Sequence, residues 1–521
     1  MIIKKTSISF TEIKEKKVFS PLQFYDFKMS PKKAKPIIEL LDSENLYEKG
    51  IEPGQKSYVE MSNLAFIRTS CIIGEKFRPD HRKLIYVNPH RYKSISLNVN
   101  DILLVKDGAI GESAIIDSTF LKESVGGFQL SSGVVKLNLM DINPFYLLAV
   151  LKSHVFRDQL YTRVGLGTTI THASDEFLKC EMPLPRDSNE EKVISMLSEA
   201  IVKKEEFVRL KCSQTVSEID KEISTSRSSE IFPTYKTLKE KLRLDVSTYS
   251  SEYNQYVKEI SEYSGGYSSI SKLGFKPKRG PNLAVRDSGR ILYSDRRIND
   301  GFWVVIKPED LSFEGVLDRF QFMGNNQIKW SFSKGDVLFS AEGTIGKFFV
   351  FCEDVNRITT NYHSIMINHE DVRESVVLGC ILGYLRERGI LDKISVGAQG
   401  GSLALAHWDL LLVPKLKTNL KEKLFNLYYK QPNCKQTSDL ISILQYHVAH
   451  SDGFGIFQLD TQIRYFKSIL GELINCLAYD LPIDDRAIAY HINNSNFMQS
   501  FDSFNFDYPK KITESLDLFT K

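Results

Sequence analysis

Two stretches of this chain interleave basic with aromatic side chains. The first holds Lys76, Arg78, Arg82, Lys83, Arg91 and Lys93 beside Phe77, Tyr86 and Tyr92; the second holds Lys276, Lys278, Arg279, Arg290, Arg296 and Arg297. Cations at this density suit phosphate contact, and rings between them suit contact with bases. Each stretch alone also fits a solvated loop whose lysines lay their stems over apolar surface. Net charge is only +3 over 521 residues, so any affinity for nucleic acid rests on local patches.

Other chemistries find no support. There is no Walker-type glycine loop ending in Lys-Ser/Thr, no His-Glu-x-x-His and no Gly-x-Ser-x-Gly. Asp175-Glu176, Glu190-Glu191 and Asp484-Asp485 are adjacent in sequence. A metal-dependent nuclease needs carboxylates converging from separate strands. Asn143-Pro144-Phe145-Tyr146 approximates the Asn-Pro-Pro-Tyr of amino-methyltransferases, but Phe145 stands where the turn requires proline. It reads as a helix start, Asn143 capping and Pro144 in the first position. Among ten histidines, His81 and His363 are the functional candidates, though isolated histidines are more often structural or exposed. Seven scattered cysteines without a Cys-x-x-Cys spacing indicate a reducing cytoplasm and neither zinc nor disulfides. The first residues lack the apolar core of a signal peptide, and no run approaches the roughly 18 apolar residues of a membrane helix. The expectation is a chain with no cofactor, no metal, no membrane contact and no catalysis of its own.

The elements that position the basic stretches repeat. Asn100-Asp101-Ile102-Leu103 leads to Gly108-Ala109-Ile110-Gly111, and Gly335-Asp336-Val337-Leu338 leads to Gly343-Thr344-Ile345-Gly346, at an offset of 235 (Asp101 to Asp336). Each copy reads as strand, glycine turn and strand, a unit too small to bury its own face. After each comes a helix (from Asn143; near Val376–Arg388) and a Gly/Ser/Thr-rich loop (with Gly167; with Gly400). A strand closing on proline then follows (Phe177 to Pro185; Trp408 to Pro414). Between the copies, Val193, Leu197, Ile201, Val208, Val216, Ile219 and Ile223 recur at helical spacing over residues 188–226. That predicts a helix of roughly 55 Å needing a partner helix. Residues 416–480 read as helices broken at Pro432-Asn433 and Asp452-Gly453, and residues beyond Pro482 show no clear period.

Two tandem repeats of Asp-(Ile/Val)-Leu…Gly-x-Ile-Gly, each followed by a glycine-bearing loop and a proline-ended strand, with a long helix between them, resemble the specificity subunit of type I restriction–modification systems. Arg243-Leu244-Asp245 followed by Tyr249 resembles the opening of that family's repeat. The resemblance covers about residues 18–225 and 235–430. It implies an α/β (α+β) fold of two tandem target-recognition domains (1–186 and 229–415). Antiparallel spacer helices (187–228 and 416–480) and a C-terminal extension (481–521) complete it. Asp101, Gly108, Ile110, Gly111, Gly167, Asp336, Gly343, Ile345, Gly346 and Gly400 would be scaffold positions. The implied function is recognition of a bipartite double-stranded DNA site, directing adenine methyltransferase subunits, and in some systems a restriction/translocase subunit, to it. The broken second spacer and long tail depart from the pattern and suit a specialised methylation-linked phage-defence system. Two alternatives stay open: a protein–protein adaptor that kept the fold without reading DNA, and an enzyme fusion with catalysis hidden beyond residue 416.

Overall fold

The computed structural model describes residues 2–4, 25–164, 171–224, 246–396, 401–432 and 437–506. Gly167, Gly400, Asn433, Cys434, the segment Arg243-Leu244-Asp245 and residues 507–521 lie outside them. The chain is mixed helix and sheet, and among the described residues ten strands of each half duplicate each other in order and pairing, the first half adding a ladder of Ile2–Lys4 with Tyr25–Phe27.

The central sheet of the first half has the order Tyr47–Lys49, Val134–Leu137, Ile102–Val105, Ser113–Ile115; that of the second has Lys276–Arg279, Ser364–Asn368, Val337–Ser340, Phe348–Val350. All pairings in both are antiparallel. A second sheet in each half has matching order. In the first half it runs Phe128–Leu130, Ala65–Ile67, Ile85–Val87, Tyr58–Val59, and in the second Ile358–Thr359, Trp303–Val305, Gln321–Gly324, Leu292–Ser294. The first pairing is parallel and the others antiparallel in each. A two-stranded ladder completes each half, Ala34–Pro36 with Glu181–Pro183 and Tyr267–Ser269 with Leu412–Pro414. The stretch from Phe177 to Pro185, read from sequence as one strand, is a 3-10 turn over Glu176–Lys179 and only then this short strand.

The repeated hairpins agree down to single hydrogen bonds. Asp101 accepts Asn98 N–H at 2.8 Å and Asp336 accepts Ser333 N–H at 2.8 Å, each capping the turn that starts the strand. Val105 N–H donates to Glu112 O at 2.7 Å and Ser340 N–H to Lys347 O at 2.8 Å. Gly111 and Gly346 adopt φ of 85° and 100°, a region closed to most side chains. A Cβ at Gly346 would also lie 2.7 Å from Arg386 Cδ, so glycine lets the following helix close over the turn. Ile110 and Ile345 are buried beneath.

Asn143 caps Pro144–Lys152 as its sequence predicts, accepting Phe145 N–H at 2.9 Å. The long helix runs Ser188–Ile223, started by Asp187, whose carboxylate accepts Asn189 and Glu190 N–H. Its partner is broken, yet spans it. Thr418–Tyr428 lies antiparallel on the C-terminal part through Glu218–Lys423 (2.7 Å) and Glu222–Lys417 (2.8 Å). Ile456–Ala478 lies antiparallel on the N-terminal part through Lys467–Glu205 (2.7 Å), and just past its end Arg186 reaches the Leu481 carbonyl (2.7 Å). Gly455 N–H donates to Lys430 O at 2.8 Å, so the chain leaves and returns at nearly one point. Between them Leu440–Ala449 forms an excursion helix packed on the long helix. There Lys204 is fully buried, 3.2 Å from His447 Nδ1, donating to Ser451 Oγ at 3.3 Å and facing the Phe454 and Phe466 rings. Burial, then the Lys204 charge, holds the His447 imidazole neutral.

The tail holds a helix that sequence periodicity does not reveal, Asp485–Asn494, capped by Asp484. Beyond it Phe497 stacks on Phe349 and Phe501 meets Phe320 edge-on, so this part of the tail packs on the second half.

Candidate nucleic-acid interface

The basic residues singled out by sequence divide by what surrounds them. Lys83, Arg91, Lys93, Lys276, Lys278, Arg290 and Arg296 are exposed. Lys278 lies over the Trp330 ring at 5.2 Å. Arg279 is half-buried, paired with Glu342 at 2.7 Å and seated over Tyr362. Arg297 is tied to Asp502 (2.7 Å) and the Phe302 carbonyl (3.0 Å) and lies over Phe322.

The remaining three turn inward. Arg78 is 6% exposed at its side chain and donates to Asp117 (2.7 Å), Thr119 Oγ1 (2.7 Å) and the Glu205 carbonyl (3.1 Å). Its guanidinium is not available to phosphate, so Arg78 drops out of the candidate contacts. Lys76 pairs with Glu314 at 3.0 Å and Asp318 at 3.8 Å. Arg82 pairs with Glu387 at 2.7 Å and lies over Phe313. These bonds cross between the halves, so Lys76 and Arg82 are clasp residues in this structure.

The clasp joins equivalent segments. The hairpin offset carries residues 75–83 onto 310–318. Each segment bonds the second hairpin strand of its own half, Ile115 N–H to Phe77 O (2.8 Å) and Phe348 N–H to Ser312 O (3.2 Å). One copy is basic where the other is acidic, so the contact between the two copies is an ion-paired one. Glu205 of the long helix anchors it, accepting Phe77 N–H at 2.9 Å and pairing with Lys467. Burial works against the Glu314 carboxylate, yet Lys76 and Arg82 outweigh it and hold the pKa near 2. Asp318 is farther from Lys76, and burial pushes it up to about 6. Burial, then Arg209, pushes His81 down to about 4, so it is neutral in the clasp wall.

The hairpin tips carry a second recurrent feature. Asp107 and Glu342 occupy equivalent tip positions, each bridged to the returning end of the glycine-bearing loop, at His172 and Ser402 respectively. Asp107 Oδ1 lies 2.8 Å from His172 Nδ1, and Glu342 Oε2 lies 2.5 Å from His363 Nδ1. Both imidazoles are exposed. Sequence reasoning named His363 but had no partner for it, and it passed over His172, Glu342 and Tyr362. Their pairing depends on residues 65 and 21 positions apart, beyond any local motif.

Among the described residues no group of His, Cys, Asp and Glu is placed to hold a metal ion. The six described cysteines are buried and form no disulfide with one another, and no described helix is long and apolar enough to cross a membrane.

No family model and no curated protein matches the chain. Among solved structures it is similar to a type I restriction–modification S subunit from M. genitalium, with 14% identity over 88% of this chain and 98% of that one and a TM-score of 0.39. It is also similar to a structure described by complex assembly and conformational transition of the type I R-M system (12% identity, 87% and 99% covered, TM-score 0.28). A third is the HsdS subunit from Thermoanaerobacter tengcongensis (11% identity, 87% and 98% covered, TM-score 0.27).

Proposed function

We propose that the chain is a specificity subunit of the type I restriction–modification kind. It would read a bipartite double-stranded DNA site and bring separate adenine methyltransferase subunits, with or without a restriction/translocase subunit, to it. The observation that carries this reading is the strand-for-strand duplication held by an antiparallel helix pair. Two equivalent heads on one brace suit two half-sites at a set separation, about one helical turn or more between centres. Exposed Lys83, Arg91 and Lys93 on one head, and Lys276, Lys278, Arg290 and Arg296 on the other, suit phosphate contact that positions each head. The helix pair offers methyltransferase subunits a docking surface. Recognition domains are proposed at 1–186 and 229–415, the spacers at 187–228 and 416–480, and the extension at 481–521.

Fluorescence anisotropy with labelled duplex across a salt series tests this. Phosphate contact gives a linear fall of log affinity with log salt. Methylome sequencing of the host with and without the chain then reports the site, and loss of methylation at one split motif is the expected result. Salt-insensitive or absent DNA binding would favour the adaptor reading. Methyl transfer or cleavage by the chain alone would favour the fusion.

A further inference from the structure

The two carboxylate-held imidazoles at the hairpin tips do not descend from one another. Strand register makes Val134 equivalent to Ser364, since each pairs with the equivalent hairpin residue, Val105 or Ser340. The position matching His363 is therefore Gly133. The tip bridges make Ser402 the match of His172. Each half has thus placed an imidazole on the same carboxylate from a different direction. An exposed side-chain hydrogen bond of this kind contributes little to stability, so stability alone does not account for its recurrence.

The chemistry of the arrangement is directional. A carboxylate only accepts, so Nδ1 of each imidazole must be the donor, and in the neutral ring Nε2 is left as an acceptor. With side chains 61% and 63% exposed, the rings of His172 and His363 are open to solvent. In the second half the surroundings fit nucleic acid. His363 adjoins the edge strand Lys276–Arg279, whose Lys276 and Lys278 are exposed, and Tyr362 beside it is 51% exposed over the Arg279 guanidinium. Glu342 binds His363 and Arg279 together, fixing both.

We propose that His172 and His363 are base-reading residues, one per half, each presenting Nε2 as acceptor to an exocyclic amino group of adenine or cytosine in the major groove. This rests on the DNA-reading function proposed above. Asp107 and Glu342 are then positioning residues, and Tyr362 flanks the contact.

The test uses the full chain and a duplex library with two randomised half-sites and variable spacers. Wild type, His172→Ala, His363→Ala and His363→Gln are selected in parallel, with thermal melts of each. The expected result is that His363→Ala relaxes preference at one base pair of one half-site by about tenfold. His172→Ala should do the same in the other half-site, with melts unchanged. Gln, which retains an acceptor, should restore part of the preference. Unchanged preferences overturn the proposal, and so does weakening that is uniform across sequences, which would make the imidazoles phosphate contacts. If wild type enriches no split site, the DNA-reading function itself fails, and this proposal fails with it.

Discussion

Arg78 and Arg296 look alike in sequence and differ in what removal should do. Arg78→Ala strands the Asp117 carboxylate in a buried site, and breaking such a pair costs about 3–5 kcal/mol. Arg296→Ala, at an exposed position, should leave stability within about 0.5 kcal/mol of wild type. Urea unfolding of the two variants checks this, and equal losses would refute the assignment of Arg78 to the interior. The clasp carboxylates give a second prediction, through pH. Asp318 has a folded pKa near 6, above its ordinary 3.8, so its ionised form opposes folding. That cost is absent below about pH 4 and complete above about pH 6. Asp318→Asn should match wild type at pH 4 and exceed it at pH 8 by about 1–2 kcal/mol, discounted for partial exposure. Glu314 has the opposite sign: held near 2, it contributes stability above its ordinary 4.5 that is lost as pH falls towards 2. A pH-independent difference for Asp318→Asn would contradict this. The basic stretches were legible as clusters, but not as contacts. The acid that neutralises Lys76 lies 238 residues away, and no local pattern carries that information.

Elements were more legible than residues, because their causes are local. Helical spacing and Asp187 marked the long helix, and Asn143-Pro144 marked another, since caps and apolar periods act within a turn or two. The hairpins were legible through glycines that only a left-handed turn explains. The breaks in the second spacer were also visible, but their meaning was not. Pro432 and Gly453 interrupt the helix in sequence, while in space Thr418–Tyr428 and Ile456–Ala478 together flank the length of Ser188–Ile223. What holds the ends together is the return at Gly455, where a Cβ would collide with the Lys430 and Tyr428 backbone. Gly455→Ala should therefore cost about 1–3 kcal/mol, the range of overpacking. Gly471→Ala on the same helix, where a Cβ meets nothing, should stabilise it by about 0.5–1 kcal/mol. Denaturant midpoints of the pair decide it, and an innocuous Gly455→Ala would mean the two segments need not meet.

At the scale of the whole molecule, sequence alone makes the long helix a ruler. Four residues inserted after Lys204 would then lengthen the preferred spacer by one or two base pairs. The structure changes that expectation in two ways. Lys204 is itself buried against the excursion helix, and beyond it Glu218, Asp220 and Glu222 engage Lys423, Tyr384 and Lys417. Four residues shift that end by about 6 Å and rotate it by roughly 40°, which would dismantle all three contacts. The halves are also joined independently of the helix, through Lys76–Glu314 and Arg82–Glu387. A longer helix therefore works against the clasp. The insertion is expected to lower stability by several kcal/mol, chiefly because the rotation unpacks the buried Ile219 and Ile223, and to leave any surviving binder with the original spacer. Freeing the clasp first, with Lys76→Ala and Arg82→Ala, should broaden the tolerated spacers before it changes which bases are read. Selection from a random-spacer library, run with urea unfolding on each variant, separates these outcomes. A stable insertion variant whose spacer steps by one or two base pairs would show that the helix alone sets the distance and that the clasp yields to it.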